Sequence, residues 1–477
     1  EAFPHDHAKL PAEIPQTGDR GIRLADVVNG KNTLEEFTAQ LTDYDLSCII
    51  RGEGMGSPKV TAGTAAAFGG VSDTLTALGI PCACCDDGPS GMRLDCGTKA
   101  FSLPNGTLLA STFDRSLMTE LFTFMGLEMH TNQVDCLLGP GMNIHRHPLN
   151  GRNFEYFSED PYLTGEMASA ELAGLHSTGA EGTIKHFCGN NRETRRHFLD
   201  SVISERALRE IYLRGFEKAV KKGGAKSVMT TYGQVNGVWT AGNYGLVTGI
   251  LRDDWGFDGF TMTDWWANIN RRGKAPDKSD FAAMAMAQND VYMVTADGAA
   301  CNDNTLDSLK SGELTRGELQ RNAMNILRFL TTTHAMKRVM CCDDETEIIN
   351  RPADAGDVDS TDIEFHDIDE DLTIDLAGIT TEKGSSYAFG LNVSKPGVYK
   401  VTLTASSTLS ELAQTSVSIF ALGSPCGTFT FNGTGGAPVS QTKDVKFLSN
   451  FMSIRLYFGG SGLKTQSIRF ELKERWT

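Results

Sequence analysis

The chain reads as α/β: a (β/α)8-type barrel followed by an antiparallel, jelly-roll-like β-sandwich. Three observations predict this. Short apolar runs alternate with amphipathic stretches from residue 33 to 338, an acidic interval interrupts them, and short alternating runs broken by Gly, Pro, Ser and Asn follow to the end. Strand–helix units repeated over ~300 residues favour a barrel over an open doubly wound sheet. No Gly-x-Gly-x-x-Gly follows a strand, which removes the main sign of a dinucleotide domain. The boundaries that result are 1–32 for an extended lead-in, 33–338 for the barrel, 339–375 for an acidic linker and 376–477 for the sandwich.

The barrel strands are expected at Ile80–Cys85, Val134–Leu138, Gly182–His186, Lys226–Thr230, Gly259–Thr263 and Asp290–Val294. Between them, Ser204 can cap a helix whose Leu208, Ile211, Gly215, Phe216 and Ala219 share one stripe. Thr315 and Glu318 form a capping-box pattern ahead of Leu319, Ala323, Ile326 and Leu330. Residues 343–375 hold fourteen Asp and Glu against Arg351 as the one Lys or Arg. Such a run serves as a solvated linker, with a calcium site as the alternative. The sandwich strands are expected around 386–393, 397–405, 414–422, 427–432, 443–449, 452–459 and 466–473.

Composition narrows the class. A 477-residue chain that is 40% hydrophobic and 22% charged has ample material for a core, and its length fits one large domain plus a smaller one. No stretch approaches the ~18 apolar residues of a membrane span. A net charge of −16 argues against nucleic acid, because phosphate binding needs concentrated Lys and Arg. Eleven cysteines without paired CxxC motifs argue against zinc ribbons. Several (Cys82, Cys84, Cys136, Cys188) sit in apolar runs as small core residues, and Cys84-Cys85 and Cys341-Cys342 are adjacent pairs. These point to reduced thiols and a cytoplasmic setting, with localisation otherwise open.

The chemistry concentrates at strand ends. Gly259–Thr263 delivers Asp264, backed by Trp265 and Trp266. Taken alone, Asp264 reads equally well as a helix N-cap. The other strand ends weigh against that. Ile80–Cys85 leads to Asp86-Asp87-Gly88-Pro89-Ser90-Gly91, and Val134–Leu138 leads to Asn143 and then Gly151–Pro161 with Arg152. Gly182–Thr183 leads to Lys185-His186-Phe187, and Val228-Met229 to Thr230-Thr231-Tyr232. In a parallel barrel such tips converge on one face. Each has a structural reading: a turn for Asp87, a partner of Glu155 for Arg152, a satisfied core histidine for His186, packing for Tyr232. Together they suit a sugar, whose hydroxyls carboxylates accept from and Arg, Lys and His donate to, and whose C–H face aromatics cover. Asp87 with Arg152 and Lys185 would fix hydroxyls, Asp264 would attack the anomeric carbon, and Trp265 would wall the pocket. Lys185, Arg152 and a protonated or hydrogen-bonded His186 would keep Asp264 ionised.

These stretches resemble glycoside hydrolase family 3, the β-glucosidase group. They are Asp87–Gly91, Gly151–Pro161, Lys185-His186-Phe187 with Asn190–Thr194, Ser201–Gly215, Met229–Gly237 and Leu251–Ala267. The resemblance implies a retaining, exo-acting β-glycosidase acting on β-linked glycosides or oligosaccharides, with no cofactor and no metal. It makes Asp264 the nucleophile and Asp87, Arg152, Lys185, His186 and Tyr232 glucose-binding residues, with Trp265 and Met229 beside the sugar. Xylose or galactose would need only small pocket changes. Members of this group usually carry an α/β sandwich domain with the acid/base Glu after the barrel. Here an acidic linker and a β-sandwich follow instead. Arg51–Gly54 through Ala65–Gly70 resemble members of permuted order, in which that domain comes first. The acid/base Glu is therefore expected on an upstream segment or a partner chain, and a homo-oligomer stays open. On-chain candidates for the acid are Glu159, Glu193 and a His197–Asp200 dyad, although that dyad has the wrong spacing.

Two rivals remain. His145-Arg146-His147 with Lys185, His186 and Asp264 could build a metal-dependent amidohydrolase. Alternatively, barrel and sandwich could both be sugar-binding modules without catalysis.

Overall fold

Strands that are buried on both faces need near-continuous apolar sequence, and most of the eight short segments that form the barrel supply it, Arg51-Gly52-Glu53 being the exception. In the computed structural model, which describes residues 10–95, 100–269, 275–344, 363–422 and 424–475, they are Arg51–Glu53, Ala66–Gly69, Cys82–Asp87, Cys136–Leu138, Glu181–Phe187, Ser227–Thr230, Phe260–Met262 and Tyr292–Thr295. They lie side by side in chain order, and Tyr292–Thr295 returns to pair parallel with Arg51–Glu53. A Met262–Val291 bridge and the bond from Thr263 N to the Val291 carbonyl join the last two strands, closing the barrel. Phe68 and Phe260 of its strands pack with Phe329 of the helix Arg316–Leu330, with centroids 4.6–6.2 Å apart.

The described residues form two compact units by their contacts. One draws on Glu1–Glu53, Ala67–Met92 and Ala100–Ile348, the other on Gly54–Ala66, Arg93–Lys99 and Ile349–Thr477. Residues 54–66 and 93–95, inside the interval assigned to the barrel, thus belong with the second unit. The lead-in 1–32 carries a short helix, Leu24–Val28, with Ile22 and Leu24 buried.

Three further features differ from the sequence reading. Two strands, Arg51–Glu53 and Ala66–Gly69, were not among those expected, and the second runs antiparallel to the first. A parallel return needs a crossover, usually helical, and no helix intervenes between them. In the Ser204-capped helix, Ile211 is exposed, and Leu213 is buried in its place. Leu208–Tyr212 forms a π-turn, with Leu213 N bonded to the Leu208 carbonyl at 2.8 Å. The extra residue advances the stripe by one position. Gly215, Phe216 and Ala219 then face the core as expected, as does the helix capped by Thr315 and Glu318. Finally, of the interval read as linker, 345–362 lie outside the described residues. Phe365–Ile368 and Asp371–Asp375 are strands of the sandwich, where Ile368 and Ile374 alternate inward between acidic residues.

The second unit is a sandwich of a five-stranded and a four-stranded sheet. The eight strands from Asp371–Asp375 to Leu463–Arg475 follow the jelly-roll order. The first, eighth, third and sixth make one sheet, and the second, seventh, fourth and fifth make the other. Phe365–Ile368 adds a ninth strand, parallel to Ser386–Val393. Phe389, Tyr399, Phe447 and Phe470 fill the core between the sheets, and Met55 packs against it.

Candidate active site

Glu181–Phe187 is buried along its whole length, so its polar residues must find partners inside the barrel. Lys185 Nζ lies 3.0 Å from Asp87 Oδ1 at the tip of Cys82–Asp87. The turn beyond Asp87 requires glycine: Gly88 has φ of 132°, and a Cβ there would stand 1.8 Å from the Gly91 carbonyl oxygen. His186 is gripped at both backbone groups by Asn143, at 2.9 and 3.0 Å. Its Nδ1 is 3.2 Å from the Tyr156 hydroxyl.

Asp264, one residue past Thr263 at the end of Phe260–Met262, is 6% exposed. Its Oδ1 accepts from Trp265 N at 2.8 Å. Its Oδ2 stands 3.7 Å from His186 Nε2 and makes no hydrogen bond. A buried carboxylate oxygen without a donor is costly unless the site is built to use it. Tyr232 is buried beside it, and burial with the Asp264 charge pushes its phenol well above the ordinary tyrosine value. Trp265 is buried, and so is Met229, in register opposite Met262 in the strand wall.

His186 Nδ1 faces two partners, the Tyr156 hydroxyl at 3.2 Å and the Asn143 amide oxygen, which can only accept, at 3.4 Å. Asn190 Nδ2 can only donate, and it reaches the Tyr156 oxygen at 3.0 Å. His186 Nε2 faces Asp264 Oδ2 at 3.7 Å. Burial, aided by Arg152, Lys185 and Arg196, holds His186 well below the ordinary imidazole value. Of the two states expected, protonated or hydrogen-bonded, His186 takes the second, as an uncharged ring bonded to Tyr156. Burial also raises the Asp264 carboxyl above its ordinary value, and Arg152, the Trp265 N–H, Arg196 and Lys185 only partly offset that.

Arg152 does not pair with Asp87. It makes a bidentate bond to Glu155, at 2.7 and 3.0 Å, while its charge still reaches Asp264. A Cβ at Gly141 would come within 2.8 Å of Glu155 Oε1, so glycine there keeps room for this pair.

The tips thus brought together are those of Asp87, Lys185, His186, Tyr232 and Asp264, with Arg152 entering from the loop after Cys136–Leu138. Of the residues that brace them, Arg196 had no role in the sequence reading, and Glu193 and His197 were named only as candidates for the acid. Arg196 lies over the Tyr232 ring at 4.4 Å and bonds Glu193 at 2.8 Å, and Glu193 also accepts from Asn190 at 2.9 Å. His197 packs on the same ring, at 4.1 Å between centroids. A small sheet of Asp200–Ser201, Gln234–Val235 and Val238–Trp239 ties these loops together. Arg196 and Glu193 lie on the Asn190–Thr194 stretch or just beyond it, and that position was the available signal.

Residues 19–329 match the family model described as the glycosyl hydrolase family 3 N terminal domain. The chain belongs to glycosyl hydrolase family 3. A β-glucosidase of Ruminococcus albus is 62% identical over 481 residues, covering 98% of this chain and 51% of that protein. A solved β-glucosidase of Paenibacillus barengoltzii is 45% identical with a TM-score of 0.69, over 97% of this chain and 50% of that one. β-Glucosidase 3B of Thermotoga neapolitana, solved with glucose, is 37% identical with a TM-score of 0.59, over 66% of this chain and 44% of that one. This family 3 chain therefore spans about half of the length of these relatives, or less.

The amidohydrolase arrangement is not assembled. His145 Nε2 bonds the Tyr156 carbonyl and His147 Nδ1 accepts from Leu149 N, so neither joins Asp264 in a metal cluster among the described residues. Nor is the His197–Asp200 dyad formed: Asp200 accepts from Gly237 N at 3.0 Å, while His197 stacks on Tyr232. Glu159 is exposed.

Proposed function

We propose that this chain is the nucleophile-bearing, sugar-binding part of a retaining, exo-acting β-glucosidase. The observation that carries the reading is the unbonded Oδ2 of buried Asp264, ringed by the charges of Arg152, Arg196 and Lys185 and faced by the uncharged His186 ring. A pyranose seated there would give its hydroxyls to Asp87, Lys185, Arg152 and His186, with Tyr232, Trp265 and Met229 around the ring. Asp264 attacks the anomeric carbon while an acid protonates the leaving oxygen, forming a covalent glycosyl-enzyme. Water activated by the same group, now a base, then releases the sugar. Bound sugar replaces the missing solvent around Oδ2 with hydroxyl donors, which favours the carboxylate form needed for attack.

The acid/base carboxyl is assigned to protein outside this chain. The other carboxylates of the cluster are committed: Asp87 to Lys185, Glu155 to Arg152, Glu193 to Asn190 and Arg196. A retaining enzyme needs a second carboxyl about 5–5.5 Å from the nucleophile. The sandwich is assigned a bracing role, and preference among glucose, xylose and galactose rests with the pocket rim.

The test is trapping with a 2-deoxy-2-fluoro-β-glucoside and mapping of the labelled peptide. Label on Asp264 is expected. Label on another residue, or reversible binding alone, would remove the assignment.

A further inference from the structure

A second cluster of chemically able side chains lies at the opposite end of the strands. Thr178 precedes Glu181–Phe187, and His130 ends the helix Arg115–Thr131 that leads into Cys136–Leu138. His334 opens the helix His334–Val339, and Asp343 follows it. These are N-terminal strand approaches, whereas Asp264 sits at a C-terminal tip. Nothing in the reaction described above uses them.

His334 Nδ1 is 2.6 Å from Asp343 Oδ1, and His130 Nε2 is 3.4 Å from Asp343 Oδ2. The two imidazoles stack at 3.8 Å between centroids, and one ligand atom from each of the three residues lies within 4.8 Å of the others. His334 is buried, and the other two are half-buried. The deciding detail is the other nitrogen of His334. Nε2 lies 2.8 Å from the Thr178 carbonyl, which can only accept, so Nε2 carries the proton. In a neutral ring Nδ1 is then a lone pair, and it is aimed at a carboxylate oxygen. At 2.6 Å that gap holds a shared proton, and a metal would take its place by displacing the proton from Nδ1 and widening the N···O separation. A histidine that donates one nitrogen to a backbone carbonyl and turns the other to a carboxylate has the arrangement that orients metal-ligating histidines.

We propose that His130, His334 and Asp343 form a binding site for one divalent transition metal, zinc by donor type. Two imidazoles and one carboxylate with a water in the fourth position make a standard tetrahedral set. The metal would tie the Arg115–Thr131 helix to the last helix of the barrel unit and so clamp the barrel's N-terminal face. It takes no part in the reaction at Asp264.

The test uses the full-length protein that carries this chain, stripped with chelator and titrated with zinc chloride by calorimetry and thermal melting. Cobalt(II) serves as a spectroscopic probe of tetrahedral geometry. The expected result is saturable binding near one zinc per chain, a raised Tm, and visible cobalt d–d bands. His130→Ala and Asp343→Asn are chosen over a His334 variant, which would also release the Thr178 carbonyl. Each should weaken zinc binding beyond the ~10–100-fold typical of losing a supporting partner, and should abolish the Tm shift. Turnover of an aryl β-glucoside should stay unchanged in both. Absence of a Tm shift and of saturable heat in the parent protein would overturn the site. Zinc binding equal in parent and variants would do so too, since the metal would then sit elsewhere.

Discussion

Asp264→Asn separates chemistry from folding more cleanly than any other change. Asparagine keeps the volume, and its Oδ1 can still accept from Trp265 N as the carboxylate does. What disappears is the nucleophile. With binding and the surrounding charges left in place, loss of a covalent nucleophile should lower kcat/KM by about 10^4–10^6-fold, or ~5.5–8 kcal/mol at ~1.36 kcal/mol per tenfold. Stability should move the other way. Burial raises the Asp264 carboxyl in the fold, so between its unfolded and folded pKa values the native state binds more protons than the unfolded state. Native stability therefore falls as pH rises through that window and stays at its lower level above it. Asparagine lacks this loss, so the Tm of the variant relative to the parent should be flat or higher at neutral pH and should converge on the parent in acid. The assay is steady-state hydrolysis of an aryl β-glucoside by the full-length protein, alongside thermal melts across pH. Retention of more than ~1% of kcat/KM, or a marked Tm drop at neutral pH, would refute the argument.

Arg196 helps hold the Asp264 carboxyl down, so Arg196→Met should move the acid limb of the kcat/KM profile to higher pH; an unmoved or lowered limb would contradict that electrostatic role. Tyr156→Phe removes the hydroxyl between Asn190 and His186 Nδ1 and with it a hydrogen bond that holds the His186 ring facing Asp264. It should cost about 1–3 kcal/mol of transition-state binding, ~10–100-fold in kcat/KM, and steady-state kinetics showing parental values would remove the relay. In the helix with the π-turn, Leu213→Ala should destabilise by about 2–5 kcal/mol and Ile211→Ala by less than ~0.5 kcal/mol. Denaturant melts showing the reverse order would restore an uninterrupted α-helical register.

The local signals in this sequence carried far. Continuous apolar runs located six of the eight barrel strands, because a strand buried on both faces admits little else. The Thr315–Glu318 box marked a helix start, because capping is settled within four residues. Asp87-Gly88-Pro89-Ser90-Gly91 marked a turn that only glycine can make at Gly88. Gathering Asp87, Lys185, His186, Tyr232 and Asp264 needed only the rule that parallel strand tips share a face. Other features depended on pairing across distance. Ala66–Gly69 is too short and unpatterned to announce itself or its direction, and the π-turn at Leu208–Tyr212 leaves no trace in the periodicity it disrupts. Whether Arg152 meets Asp87 or Glu155, and whether His186 is charged, depended on how three cations and a carboxylate share one dry space. Sequence alone determined which residues stand at the strand tips, since that follows from local burial and turn chemistry. The tertiary structure decided their partners, protonation and bracing, because those energies arise only once segments a hundred residues apart are in contact and water is gone.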